Sequence, residues 1–163
     1  MRIIIKFRPI EPISLPFDYQ QILQGFIYRS IYDENLSAFL HDKGFVHNKR
    51  TFKLFTYSRL EGVYQIDNQR KRIIFLETVI FKISSIIPQF VEDIATSLLT
   101  SESLHLNGQP IQLEELLYDN SMIDSSSYKI SMISPLTVYS TYENDEGKKL
   151  LNIFRHKILF LVF

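Results

Sequence analysis

The 163 residues carry 18 Lys/Arg, 18 Asp/Glu, thirteen Phe, nine Tyr and no cysteine, and 45% of them are hydrophobic. That apolar content suffices for a packed core and excludes a disordered chain, while the lack of cysteine excludes a disulfide framework and any thiolate metal site. The length allows one domain, or one compact half of a larger protein.

Residues 1–6, MRIIIK, hold only three consecutive apolar positions. That is too few for a signal peptide or a membrane helix, so a soluble, cytoplasmic protein with no membrane partner is expected. The zero net charge conceals an asymmetry. Residues 1–72 carry 12 Lys/Arg against 7 Asp/Glu; residues 73–127 carry one lysine, Lys82, against 8 acids; residues 128–163 carry 5 against 3. Basic segments attract polyanions by releasing condensed counterions, whatever the base sequence. A merely solvated surface with uneven charge accounts for the same numbers.

In chain order, residues 1–9 alternate so that Ile3, Ile5 and Phe7 share one face and Arg2, Lys6 and Arg8 the other, which predicts a strand. Residues 11–16, with two prolines, read as a connection. Asp18 is a candidate N-cap for a helix running to Tyr32, with Ile22, Leu23, Phe26, Ile27 and Ser30 on its inner stripe. A shorter helix over about 34–42 ends at Gly44. Residues 52–59 are β-rich, and strict alternation there sets Phe52 and Leu54 on one face, Lys53 and Phe55 on the other. Residues 64–66 and 72–76 predict a hairpin, residues 79–83 a strand, and Pro88 opens an amphipathic helix carrying Phe90, Val91, Ile94, Leu98 and Leu99. Asn107-Gly108 predicts a tight hairpin turn within residues 104–113. Residues 129–133 and 136–142 read as strand, interrupted by Ser134-Pro135. The order β, α, β, β, α, β is that of an α+β, ferredoxin-like (RNA-recognition-motif-like) domain.

Residues 28–58 bring together a tyrosine, Tyr28, two histidines, His41 and His47, and the basic-aromatic run Lys49-Arg50-Thr51-Phe52-Lys53-Leu54-Phe55-Thr56-Tyr57-Ser58. Such groups can cleave RNA without a metal. Imidazole changes charge between about pH 5 and 8 and suits proton transfer. A phenol can orient a hydroxyl, and a lysine can neutralise charge building on a phosphate. From the pattern alone, either histidine could serve, and a histidine at a helix C-terminus is as readily explained by the helix dipole. Tyr28 could equally be a core-edge aromatic and Lys53 a solvated lysine. No phosphate-binding glycine motif and no clustered metal-ligand spacing is found, and His105 stands alone.

The wording FIYRSI, then FLH, then KR-F-KLFTYS, in that order and spacing, resembles the N-terminal half of the CRISPR-associated endoribonucleases that cut precursor CRISPR RNA within its repeats. Ser134-Pro135-Leu136-Thr137-Val138 resembles a strand entry found midway through the same family. The resemblance covers about residues 1–142. It implies that His41, in the Leu-His pair before the Lys43-Gly44 loop, is the catalytic histidine, with His47 in reserve. It also implies that Tyr28 orients the scissile ribose and that Lys53 stabilises the phosphate. Lys49, Arg50, Arg70, Lys71 and Arg72 are the expected RNA-binding cations. The implied reaction is attack by a ribose 2′-hydroxyl to give a cyclic phosphate, with no metal and no cofactor. The implied partners are CRISPR repeat RNA, with CRISPR interference complex subunits and a second copy of the chain as further candidates.

Family members continue into a second ferredoxin-like half ending in a glycine-rich loop that grips RNA, whereas the five glycines here do not cluster. Residues 143–163 match nothing expected, so a truncated or frame-shifted tail is predicted there, its apolar end favouring association. The rival readings are a non-catalytic RNA-binding module and a protein-interaction domain of the same fold.

Overall fold

The computed structural model describes residues 1–119, 127–143, 147 and 149–162; over 127–143 and 149–162 only the backbone is described. The chain divides into two compact units, Met1–Ser121 and Met122–Phe163. The first contains β1 (Arg2–Pro9), β2 (Ile13–Pro16), α1 (Gln20–Arg29), α2 (Glu34–Ala38) and a π-helical turn (Phe39–Lys43). It continues through β3 (Phe45–His47), β4 (Arg50–Phe52), β5 (Phe55–Tyr57), β6 (Tyr64–Asp67) and β7 (Arg72–Phe75). It closes with β8 (Val79–Ser85), α3 (Pro88–Thr100), β9 (Leu104–Leu106) and β10 (Gln109–Asp119).

The alternation in β1 works as its sequence implies: Ile3, Ile5 and Phe7 are buried and Arg2 and Arg8 exposed. β8 alternates in phase, and the antiparallel register sets Ile3 opposite Ile83, Ile5 opposite Phe81 and Phe7 opposite Val79. The apolar rows therefore form one continuous inner face. Leu23, Phe26 and Ile27 of α1 and Phe90, Val91, Ile94 and Leu98 of α3 complete the core. Each side chain so buried contributes about 1.5–3 kcal/mol relative to exposure.

The main sheet runs β5-β8-β1-β10-β9. Its principal strands, taken in chain order as β1, β5, β8 and β10, lie in the spatial order second, third, first, fourth, with a helical crossover in each half. That is the ferredoxin-like α+β arrangement expected from the sequence. On the outer face, cations of β1 meet acids of β10. Arg2 pairs with Asp119 at 3.2 Å, Lys6 with Glu115 at 2.5 Å, and Arg8 with Glu114.

Several local expectations give way, among them the first helix, which ends at Arg29 rather than Tyr32, and the short second one, which stops at Ala38. Residues 13–16 form a strand rather than a plain connection: β2 pairs with β7 along Ile13 to Pro16 and makes a second sheet, β2-β7-β6. Pro16 occupies the strand's last position on a sheet edge, where its missing N–H costs nothing. The first helix starts at Gln20, its preceding residue Tyr19 making no side-chain cap, so Asp18 does not cap it. The β-rich stretch after Phe52 is broken at Leu54, whose φ of 58° ends one strand before the next begins at Phe55.

The Asn107-Gly108 turn is as expected, with φ of 54° and 75°, and two residues link β9 to β10. Such a turn needs left-handed conformations at both central positions, which asparagine and glycine accept. In the second unit β11 (Ser127–Glu143) pairs with β12 (Lys149–Val162), with a register break between Ser131 and Leu136 that brackets the Ser134-Pro135 interruption. The side chains of that proposed strand entry and of the apolar tail lie outside the described residues. Among the described residues no helix is long and apolar enough to cross a membrane.

Candidate active site

Tyr28 lies in the last turn of α1, and its surroundings are fixed by a short chain of polar contacts. The Tyr28 carbonyl accepts from Ser37 Oγ at 3.0 Å, which ties α2 to α1. Asp33 caps α2 in the usual way, its Oδ1 accepting from the backbone N–H of Asn35 at 2.8 Å and of Leu36 at 3.3 Å. The Asp33 N–H in turn donates to Oδ2 of buried Asp93 on α3 at 3.3 Å, and Asp93 Oδ1 accepts from Gln89 at 2.6 Å. Three helices are thus fastened around one corner.

His41 sits in the π-helical turn that follows α2. Its ring lies 5.2 Å from the Tyr28 ring, edge to face at 75°. Tyr28 also meets Phe55 edge-on at 5.9 Å, and Phe55 stacks on buried Phe90 at 4.8 Å. Tyr28 is consequently braced from the core side while its other side faces His41. Burial first, and then the nearby Tyr28 phenol, push the Tyr57 hydroxyl above its ordinary pKa.

Because the chain kinks at Leu54, Lys53 occupies a junction between β4 and β5 rather than the strand position that alternation assigns it. Its Nζ donates to the His41 carbonyl oxygen at 2.8 Å. The junction is close because of Gly44, which ends the π-helical turn with φ of 70°. A Cβ there would lie 2.8 Å from the Phe52 carbonyl oxygen and 3.1 Å from Lys53 Cδ, so only glycine allows this approach. Residues 13 and 12 positions apart in the chain are thus linked through His41, its ring against Tyr28 and its backbone carbonyl against Lys53, which lines a neighbouring cleft.

Asp42 belongs to the same group and was not a sequence candidate. Its Oδ1 is 2.7 Å from His41 Nδ1. A carboxylate only accepts, so Nδ1 donates and Nε2 is left without a hydrogen-bond partner among the described residues. Neighbours in sequence diverge on an ordinary helix, and nothing in the spacing signals this contact. Tyr28, Tyr32, His41 and Asp42 line an open cleft of about 560 Å³.

The remaining candidates are distributed over two hairpins. Lys49 and Arg50 lie in the exposed β3–β4 hairpin, where Asn48 takes φ of 55° and His47 faces Arg50 in register. His47 makes no side-chain hydrogen bond or ring contact among the described residues. Arg70 and Lys71 lie in the β6–β7 turn. Arg70 is largely exposed beside Asp67, and Lys71 has φ of 53°. Arg72 is held at the start of β7, donating to Ser14 Oγ at 2.5 Å and to the Ser14 carbonyl at 2.7 Å. Among the described residues no three His, Asp or Glu side chains gather as a metal site requires.

Comparison with known proteins follows the geometry. Residues 14–116 match the family model described as CRISPR-associated protein Cas6, N-terminal. Nothing among curated proteins matches. A solved CRISPR-associated protein Cas6 aligns with a TM-score of 0.59 at 22% identity, and a RAMP protein binding different RNA substrates with 0.63 at 20%. The product of a Cas6-related gene from Pyrococcus furiosus aligns with 0.66 at 19%. Each likeness covers 96% of this chain but only 61–62% of the other, so the chain spans less than two thirds of the length of these structures. At such identities they speak for the fold alone; it is the sequence match over residues 14–116, well over half the chain, that assigns the protein to the Cas6 family, in its N-terminal part.

Proposed function

We propose that the chain is the catalytic half of a metal-independent endoribonuclease that cleaves CRISPR repeat RNA to release guide RNAs. The observation that carries this reading is the convergence of Tyr28, His41 and Lys53, with the His41 ring 5.2 Å from Tyr28 and Lys53 bonded to the His41 carbonyl. His41, oriented by Asp42, takes the proton of a ribose 2′-hydroxyl through Nε2. The freed oxygen bonds to the adjacent phosphorus, the P–O5′ bond breaks, and the departing O5′ takes a proton from water. The products are a 2′,3′-cyclic phosphate and a 5′-hydroxyl. Tyr28 holds the ribose, and the Lys53 ammonium offsets the charge growing on the non-bridging oxygens. Lys49, Arg50, Arg70, Lys71 and Arg72 are the proposed phosphate contacts. A wider grip on RNA is proposed to come from the part of a Cas6 protein beyond the length matched here.

The test uses repeat RNA and this chain joined to the C-terminal half of a Cas6 relative. Cleavage is expected to persist in EDTA and to stop when the scissile nucleotide is 2′-deoxy, with binding nearly intact. His41→Ala is expected to slow cleavage by about 10²–10⁴-fold, the usual worth of a positioned proton-transfer group. Unchanged cleavage in His41→Ala, or its loss in EDTA, refutes the reading. A variant that binds repeat RNA but never cuts it would favour the non-catalytic RNA-binding module.

A further inference from the structure

Phe52 stands beside Lys53 at the end of β4, is 42% exposed, and walls two open clefts. One, of about 730 Å³, also includes Lys53, Phe55, Ser84 and Ile86; the other, of about 720 Å³, includes His47, Lys49 and Arg50. The neighbouring aromatics are all engaged: Phe39 with Phe45 at 5.1 Å, and Phe55 with Phe90, Tyr28 and Tyr57. The Phe52 ring has no aromatic partner among the described residues. Its cross-strand neighbour is Phe45, which explains an apolar pair on the hairpin but not a ring left open beside three cations.

Resting on the reading above, we infer that Phe52 and the cleft beside Lys53 form a stacking site for one unpaired base, that of the nucleotide 3′ of the scissile phosphate. Every base presents a π-face, and an aromatic ring flanked by cations is the usual platform for single-stranded nucleic acid. The direction follows from the centre. Tyr28 and His41 take the ribose whose 2′-hydroxyl attacks, which lies 5′ of the phosphate. Tyr28 and His41 line one cleft and Lys53 and Phe52 another, so with the attacking ribose held in the first, the chain leaving toward O5′ is assigned to the second. Lys49 and Arg50 then meet the following phosphate. The larger cleft sets Lys53 beside the Arg2–Asp119 ion pair and the smaller carries Lys49 and Arg50, a net positive lining that suits a polyanion rather than an apolar peptide.

The chain contains no tryptophan, so Phe52→Trp introduces a single indole reporter. The probe is repeat RNA with a 2′-deoxy scissile nucleotide, bound to the 163-residue chain at low salt. Indole emission is expected to be quenched on binding, and an abasic substitution at the 3′ nucleotide, but not at the 5′ one, is expected to abolish the quenching. Phe52→Leu, which keeps the apolar pair with Phe45, is expected to weaken binding at least about fivefold, whereas Phe52→Tyr keeps it. Quenching that survives the 3′ abasic substitution, equal affinity of the Leu and wild-type proteins, or no binding at all overturns the inference. Quenching with the expected pattern in a protein whose His41→Ala variant cuts normally would sink the catalytic assignment and keep this site.

Discussion

Gly44 carries no reactive group, yet it fixes how near the turn bearing His41 comes to Lys53. Replacing it with alanine sets a methyl group against the Phe52 carbonyl and forces a left-handed backbone on a residue that resists it. In the protein joined to a Cas6 C-terminal half, Gly44→Ala is expected to reduce the cleavage rate by about 10²-fold, since displacements near 1 Å at a reacting centre cost that much. Binding of 2′-deoxy repeat RNA is expected to change far less, and single-turnover kinetics alongside a binding titration separates the two. Tyr28, His41 and Lys53 were legible as candidates because three sequence blocks resemble one family in order and spacing. Their geometry was not. The Lys53 position follows from a positive φ at Leu54, a residue type that gives no hint of one. Asp42 was invisible for a related reason, since its contact with His41 arises in a π-helical turn that the pattern of apolar residues does not encode.

Among the elements, α3 supports the site from beneath and adds Ser97 to the wall of its cleft. Phe90 is fully buried and stacks on Phe55, which braces Tyr28. Phe90→Ala is expected to destabilise the fold by about 3–5 kcal/mol, a typical cost for a large aromatic lost from a core, read as a shift in urea midpoint. Tyr19 gives a second handle. Its ring packs edge-on against Phe75 and its hydroxyl accepts from the Leu60 N–H at 3.4 Å. Burial, opposed by that N–H, pushes the phenol above its ordinary value near 10. A folded-state pKa above the unfolded one means the native state holds its proton longer. The associated stability is therefore present in full below about pH 10 and is lost as pH rises through the folded value. Urea midpoints at pH 9 and pH 11 are expected to fall further for wild type than for Tyr19→Phe. The long periodic elements, β1, β8 and α3, were readable because their apolar rows match one period throughout. β2 was not, because four residues ending in proline carry too little pattern, and it is their pairing with β7 that makes them a strand.

For the whole molecule, the opposed charges of the two sequence segments turn out to be partly a matter of internal pairing. Three cations of the basic N-terminal segment, Arg2, Lys6 and Arg8, face acids of β10. Among the described residues, cations without a carboxylate partner include Lys49, Arg50 and Lys53, in and just after the β3–β4 hairpin. Binding to single-stranded repeat RNA is expected to weaken by about 0.7 log units per log unit of salt for each phosphate neutralised, so Lys49→Ala with Arg50→Ala should lower the slope by about 1.4. A slope unchanged by that pair of substitutions, measured by titration across salt concentrations, counts against the β3–β4 hairpin as an RNA contact.

The β1–β10 ion pairs have a bearing on fidelity as well. Being exposed, each adds little to stability, on the order of 0–1 kcal/mol. Yet together they set a carboxylate beside each of Arg2, Lys6 and Arg8, so these cations are already matched on that side of the sheet. Exchanging Glu114 and Glu115 for glutamine would unmask Lys6 and Arg8 and give RNA a second, unproductive place to lodge. The fold would be nearly as stable, but on the function proposed above the RNA would be shared between the candidate site and a face that only retains it.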